Sequence, residues 1–367
     1  MRKFSKEEFW YYTKRAFWVL FAWVLIFNSL FLYEYLTLVE NNALTSEYDF
    51  TIAFRASLLV SIIAGLIGGT VTLNFMERSL RKYAFGRALV VIALTYIIVA
   101  LIISLIGSVF YYSDYIGKPF HSQEVITEVK VFFQSWLFMK NIIIWLFIVL
   151  STVVIFMVND KYGPGVFPDY LKGKYFRPKR ERRIFMFADI RNATGIAEAL
   201  GEEKYFHFLK DFFEDIAAPI QQSQGEVYQY VGDEVVVTWK MKNGLKKGNA
   251  LRCYYRMRGV ISHREAYYTK TYGYLPVFKV GLHYGAVMVG ELGRIKRDIA
   301  FSGDVLNTTA RIQAKCNENN VDILVSSEFA DILYQLPEGL TKETIGSVQL
   351  RGKSEEMTLV TYREHIT

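Results

Sequence analysis

Long apolar runs separated by short polar turns fill roughly the first 160 residues, and a different, shorter rhythm follows. Four stretches carry no charged residue: Ala16–Tyr33, Ala56–Met76, Ala88–Ser113 and Asn141–Asn159. A helix needs about 20 apolar residues to cross the hydrocarbon core of a bilayer, so each stretch predicts a membrane span. Gly65, Gly68 and Gly69 in the second stretch suit close packing between such helices.

Beyond residue 183 the pattern predicts alternating strands and helices. Ile184–Ala188 is a short apolar run that closes on Asp189 and reads as a buried strand. A helix is expected from Thr194 to Gly225, with Ile196, Leu200, Phe206, Leu209, Phe213 and Ile216 on its apolar face. The segment VYQYVGDEVVVTW reads as a hairpin turning at Gly232-Asp233. A second helix follows over Ala250–Tyr268, and PVFKVGLHYGAVMVGEL predicts a strand pair with its turn near Gly285. Ile299–Ser302 is a short strand and Asp304–Asn317 a helix; the remainder supplies strand, helix and a final hairpin. Helices between antiparallel pairs predict an α+β sandwich of the split βαβ, ferredoxin-like kind. The expected division is a four-helix membrane domain at 1–158, a basic linker at 159–183 and an α+β domain at 184–367.

Charge adds orientation. Residues 1–15 carry five Lys/Arg, residues 77–87 four and residues 159–183 eight, whereas 34–51 has four acids and no base. The positive-inside rule then places both chain ends in the cytoplasm, in a multi-pass protein of the cell (inner) membrane. The formal net charge of +7 does not point to nucleic acid, because 159–183 alone contributes eight bases against three acids. That excess sits beside the bilayer, where it favours anionic headgroups. With three prolines and three glycines the same segment is a linker by composition. Cys253 and Cys316 both fall on the cytoplasmic side, where thiols stay reduced, and the five scattered histidines offer no metal-ligand spacing.

The candidate chemistry rests on two carboxylates. Asp189 ends one strand and Asp233 sits in the hairpin turn, so a hairpin lying beside the first strand brings both acids to one sheet edge. Hard divalent cations prefer oxygen ligands, and such a pair with open positions is how phosphoryl-transfer sites hold Mg²⁺. Asn307 and Arg311, four apart on one helix, share a face and can reach one ligand together.

The order of these motifs resembles the catalytic domain of class III nucleotidyl cyclases over essentially all of 184–367. The matching pieces are FADI, GDE, GLHYGAVMVGELG, SGDVLNTTARI and LRGK. The resemblance implies two Mg²⁺ or Mn²⁺ ions per site on Asp189 and Asp233, with help from the Ile190 carbonyl. It also implies that Asn307 orients the ribose, that Arg311 stabilises the transition state and that Lys353 takes the terminal phosphates. The base-facing positions are Gln229 and Ala300, where adenylyl forms carry Lys and Asp, and guanylyl forms Glu and Cys. An amide can donate or accept, so Gln229 leaves the purine open between ATP and GTP, with ATP favoured because no acid stands at 229. The resemblance implies a homodimer in which the acids of one copy face the Asn307/Arg311 pair of the other. Two rival readings remain: a diguanylate-cyclase or polymerase-type transferase, which lacks the full GG[DE]EF signature here, and a degenerate nucleotide receptor.

Overall fold

The structure, a computed structural model, describes residues 6–44, 48–78, 85–162, 173–295, 298–337, 339–349 and 356–364. They form two compact units, Met1–Val158 and Asn159–Thr367.

In the first unit α1 (Lys6–Glu40), α2 (Phe50–Arg78), α3 (Phe85–Ile116) and α5 (Trp136–Tyr162) are long helices. Each contains a window long and apolar enough to cross a membrane, namely Ala16–Glu40, Phe50–Thr70, Val90–Ile116 and Trp136–Ile155. Their shared core is aromatic: Trp23 meets Trp145 edge-on at 5.4 Å, and Trp23 Nε1 donates to Thr152 Oγ1 at 3.1 Å. A Cβ on Gly68 would lie 2.3 Å from the Trp23 ring, so the small residues expected to permit close packing do so between α1 and α2. Between the third and fourth spans, α4 (Gln123–Phe133) is an element that the hydrophobic pattern did not predict. It is short and capped by Ser122, and it buries only Val125 and Val129, one turn apart.

The second unit is built on β1 (Lys179–Ile190). This strand starts five residues before the apolar run, because Arg183 is buried and residues 179–183 continue the ladder with β4. After it come α6 (Ala193–Leu200), α7 (Glu202–Gln222), β2 (Glu226–Val231), β3 (Glu234–Lys240) and α8 (Met241–Leu245). Next are α9 (Asn249–His263), α10 (Glu265–Tyr272), β4 (Phe278–Leu292), β5 (Asp298–Ser302) and α11 (Asp304–Glu318). β6 (Ile323–Ser326), α12 (Ser327–Asp331), β7 (Leu340–Gln349) and β8 (Glu356–Glu364) complete the unit. The strand order is β2-β3-β1-β4-β6-β8-β7, with β5 paired to β4.

β1 is apolar on both faces because both are covered. Ile184, Met186 and Ala188 pack against Phe208, Phe212 and Ile216 of α7 and Met257 of α9. Phe185 and Phe187 point the other way, into a smaller cluster with Val236, Val287, Val289 and Val305. Each fully buried phenylalanine contributes roughly 2–3 kcal/mol to this packing.

Three expectations change. The helix drawn from Thr194 to Gly225 is two helices, broken at Gly201, whose φ of +74° a side chain would resist. The break resets the helical phase, so Phe206 is exposed while Phe208 and Phe212 are buried. The second helix likewise divides into α9 and α10 at Arg264. The third change is β4, one continuous strand of 15 residues without a turn. Gly285 pairs with Arg183 inside it, and a Cβ there would come within 3.0 Å of Val305 on α11. The glycine admits a helix; it does not turn a strand.

Candidate active site

The β1–β3 register pairs Asp189 with Glu234, which brings the β2–β3 turn to the end of β1. That turn requires Gly232 at φ +61°, a conformation a side chain disfavours, and it presents Asp233 beside Asp189. Asp189 lies close enough to the Asp233 carboxyl to act on it directly. Loss of water and the neighbouring Asp189 push the Asp233 carboxyl up to about 6. Glu234 is raised to about 7 by burial first and then by both aspartates. The Tyr205 hydroxyl, at the start of α7, is pushed up to about 12 by burial and by the same two acids. Negative charge is therefore crowded here in a half-buried setting.

Two groups that the sequence reasoning did not single out balance part of that charge. Lys279 Nζ lies 3.3 Å from Asp189 Oδ2, and Gln313 Nε2 donates to the same oxygen at 3.0 Å. Lys279 faces Asp189 directly across the β1–β4 ladder. No local signal in the sequence marks Lys279, which reaches Asp189 only through the β1–β4 register. Gln313 had only a weak signal, two residues beyond Arg311 on α11.

α11 reaches the acids because it lies almost on the sheet backbone. A Cβ on Gly281 would meet the Gln313 nitrogen at 2.5 Å and the Thr309 carbonyl oxygen at 2.7 Å. Arg191, just past β1, fastens the far end of this helix. Its guanidinium donates to Asn317 Oδ1 at 2.7 Å, to Asp322 Oδ1 at 2.9 Å and to the Val321 carbonyl at 2.6 Å.

Of the residues expected at the site, Asp189 and Asp233 are brought together, and Ile190 is buried at the end of β1 opposite Phe278. Asn307 is exposed and Arg311 half-buried on α11, and among the described residues neither bonds to the acids of its own chain. Gln229 is exposed on β2, immediately after a bulge at Val227/Gln229, and Ala300 pairs with Gly290 on β5. Lys353 lies outside the described residues.

The carboxylate pair fits a hard divalent cation. Oxygen donors crowd together in a half-buried place, and a cation would offset the burial and the like charge that raise the Asp233 carboxyl.

Comparison with known proteins gives the same direction. The family model described as the adenylate and guanylate cyclase catalytic domain matches residues 178–362. Adenylate cyclase 2 of Rhizobium meliloti (strain 1021) is 30% identical over 210 residues, 57% of this chain and 57% of that protein. Adenylate cyclase of Anabaena cylindrica is 26% identical over 182 residues, 48% of this chain and 36% of that one. The chain thus spans less than two thirds of the length of either relative. Among solved structures, an adenylyl cyclase from P. aeruginosa aligns with a TM-score of 0.44 at 19% identity, over 52% of this chain and 97% of that one. With a family model matched from the start of β1 almost to the end of β8, the chain belongs to the adenylate and guanylate cyclase catalytic domain family.

Proposed function

We propose that the protein is a membrane-anchored adenylate cyclase that converts ATP into 3′,5′-cyclic AMP and pyrophosphate. The observation that carries this reading is the meeting of Asp189 and Asp233 at one sheet edge within a domain of the cyclase family. Its preference for ATP draws support from the adenylate cyclases among the relatives and from the absence of an acid at position 229.

Asp189 and Asp233, with the Ile190 carbonyl, would hold two Mg²⁺ or Mn²⁺ ions. Bound there, the cations supply charge for the triphosphate and acidify the ribose hydroxyl, which accounts for the lack of a protein base in the assignment. Arg311 stabilises the charge that builds on the equatorial oxygens of the α-phosphate as the 3′-oxygen attacks in line. Asn307 orients the ribose, Gln229 and Ala300 face the purine, and Lys353 binds the terminal phosphates. The family resemblance supports a complete site composed from two copies in a homodimer, and among the described residues Asn307 and Arg311 make no hydrogen bond or ion pair with Asp189 or Asp233 of their own chain. Four spans hold the protein in the bilayer, with the basic 159–183 segment and the catalytic domain on the cytoplasmic side.

Incubating purified protein with Mn²⁺ and each nucleoside triphosphate in turn, with products identified by mass spectrometry, tests the proposal. Cyclic AMP and pyrophosphate from ATP are expected, and Asp233→Ala abolishes them. A cyclic GMP product instead reassigns the purine, and no cyclic product from any triphosphate contradicts the reading.

A further inference from the structure

Arg183 is 1% exposed, and a buried guanidinium is costly unless its donors find partners. Its Nε donates to Glu181 Oε2 at 2.9 Å, its Nη1 to Glu226 Oε2 at 2.6 Å and its Nη2 to the Tyr175 hydroxyl at 3.4 Å. Its guanidinium lies over the Phe301 ring, with 5.0 Å between Cζ and the ring centroid. Glu226 lies on β2, beyond the intervening β3, so the side chain crosses over one strand to grip the next. Phe301 lies on β5, whose ladder runs along β4. A second link closes the triangle: the Phe301 N–H donates to the Tyr228 hydroxyl at 3.4 Å, and the two rings meet edge-on at 4.9 Å. The strands so joined carry Gln229, next to Tyr228 and just past the β2 bulge, and Ala300, next to Phe301.

We infer that Arg183 is a positioning residue for purine recognition, its guanidinium tying β2 to β5 and so setting the gap between Gln229 and Ala300. This rests on the reading of those two residues as the base-facing pair. Stability alone gives a weak reason for the network, because a well-packed apolar side chain in place of a buried ion pair is often as stable. What such a replacement cannot do is hold two strands at a fixed distance through directional bonds on one side and a cation over an aromatic ring on the other. Arg183 touches no nucleotide in this scheme; it acts through the strands it joins.

The test uses the full-length protein in nanodiscs with Mn²⁺. Displacement of a fluorescent mant-ATP by ATP and by GTP is measured beside initial rates for both nucleotides. Arg183→Met is expected to unfold at the wild-type temperature yet to lose roughly tenfold in base preference, the scale of one recognition contact, through KM and not kcat. Arg183→Lys, which keeps the charge but not the fork, falls between. Tyr228→Phe, which removes one hydroxyl and little else, shifts the preference in the same direction, so a poorly folding Arg183→Met would not spare the inference. Unchanged preference in Tyr228→Phe and Arg183→Lys, an equal fall in kcat for both nucleotides, or a wild type without base preference overturns it. A wild type that discriminates ATP from GTP in displacement yet forms no cyclic product defeats the cyclase reading alone, and the displacement data still decide the role of Arg183.

Discussion

At the scale of single residues, the end of β1 is governed by like charge in a partly dry place. Asp233 is raised to about 6 and Glu234 to about 7, each by burial first and by neighbouring carboxylates next. A carboxyl raised in the folded state stabilises that state at low pH, and the contribution is lost as pH rises through the folded value. Metal-free protein should therefore lose unfolding temperature between about pH 4 and 7 through this cluster, and saturating Mn²⁺ should flatten that slope. Asp233→Asn should flatten it too, and differential scanning fluorimetry across the pH series reads both effects. Lys279 is a fixed positive charge 3.3 Å from Asp189, opposing a cation at the same oxygens. Lys279→Met is expected to lower the Mn²⁺ concentration for half-saturation by roughly tenfold, a modest share of the Coulomb interaction at such distances. A metal titration followed by intrinsic fluorescence measures it.

The acids themselves were legible in the sequence, since an apolar run ending in Asp and a Gly-Asp hairpin are both local signals. Lys279 and Gln313 were not. Lys279 reaches the site only through the β1–β4 register, and Gln313 only because Gly281 lets α11 descend onto the sheet. Neither fact is local in sequence.

At the scale of elements, α11 is the piece whose height above the sheet matters, because it carries Asn307, Arg311 and Gln313 together. Gly281→Ala would place a methyl 2.5 Å from the Gln313 nitrogen and so must lift the helix. The expected cost is about 1–3 kcal/mol in denaturant unfolding, as for other overpacked cores, with a larger proportional loss of activity. Wild-type stability in that variant would show that the helix has slack. The element boundaries show how pattern reading fails. Glycine was read as a turn at 285, where it admits a helix, and passed over at 201, where it breaks one. Hydrophobic spacing cannot separate these uses, because the deciding quantity is what lies against the missing Cβ. The strand order and the short helix α4 were equally hidden, for a helix with two buried valines leaves little trace in a window of apolar counts.

At the scale of the whole molecule, the two units speak different chemical languages, one of aromatic and small apolar side chains, the other of a mixed sheet with helices on its faces. This division was plain from the hydrophobic pattern alone. As the resemblance implies, one chain carries both halves of the proposed catalytic constellation, and among the described residues Asn307 and Arg311 bond to neither Asp189 nor Asp233. Under the proposal a second copy completes the site, with the acidic edge of each copy facing α11 of the other. Co-expression of Asp189→Ala and Arg311→Ala chains, each inactive alone, measures this directly. Random pairing at equal amounts makes half the dimers mixed, each with one intact site, so activity near a quarter of wild type is expected. Activity no higher than that of the separate variants, in preparations where mixed dimers are demonstrably present, would contradict a site shared between copies.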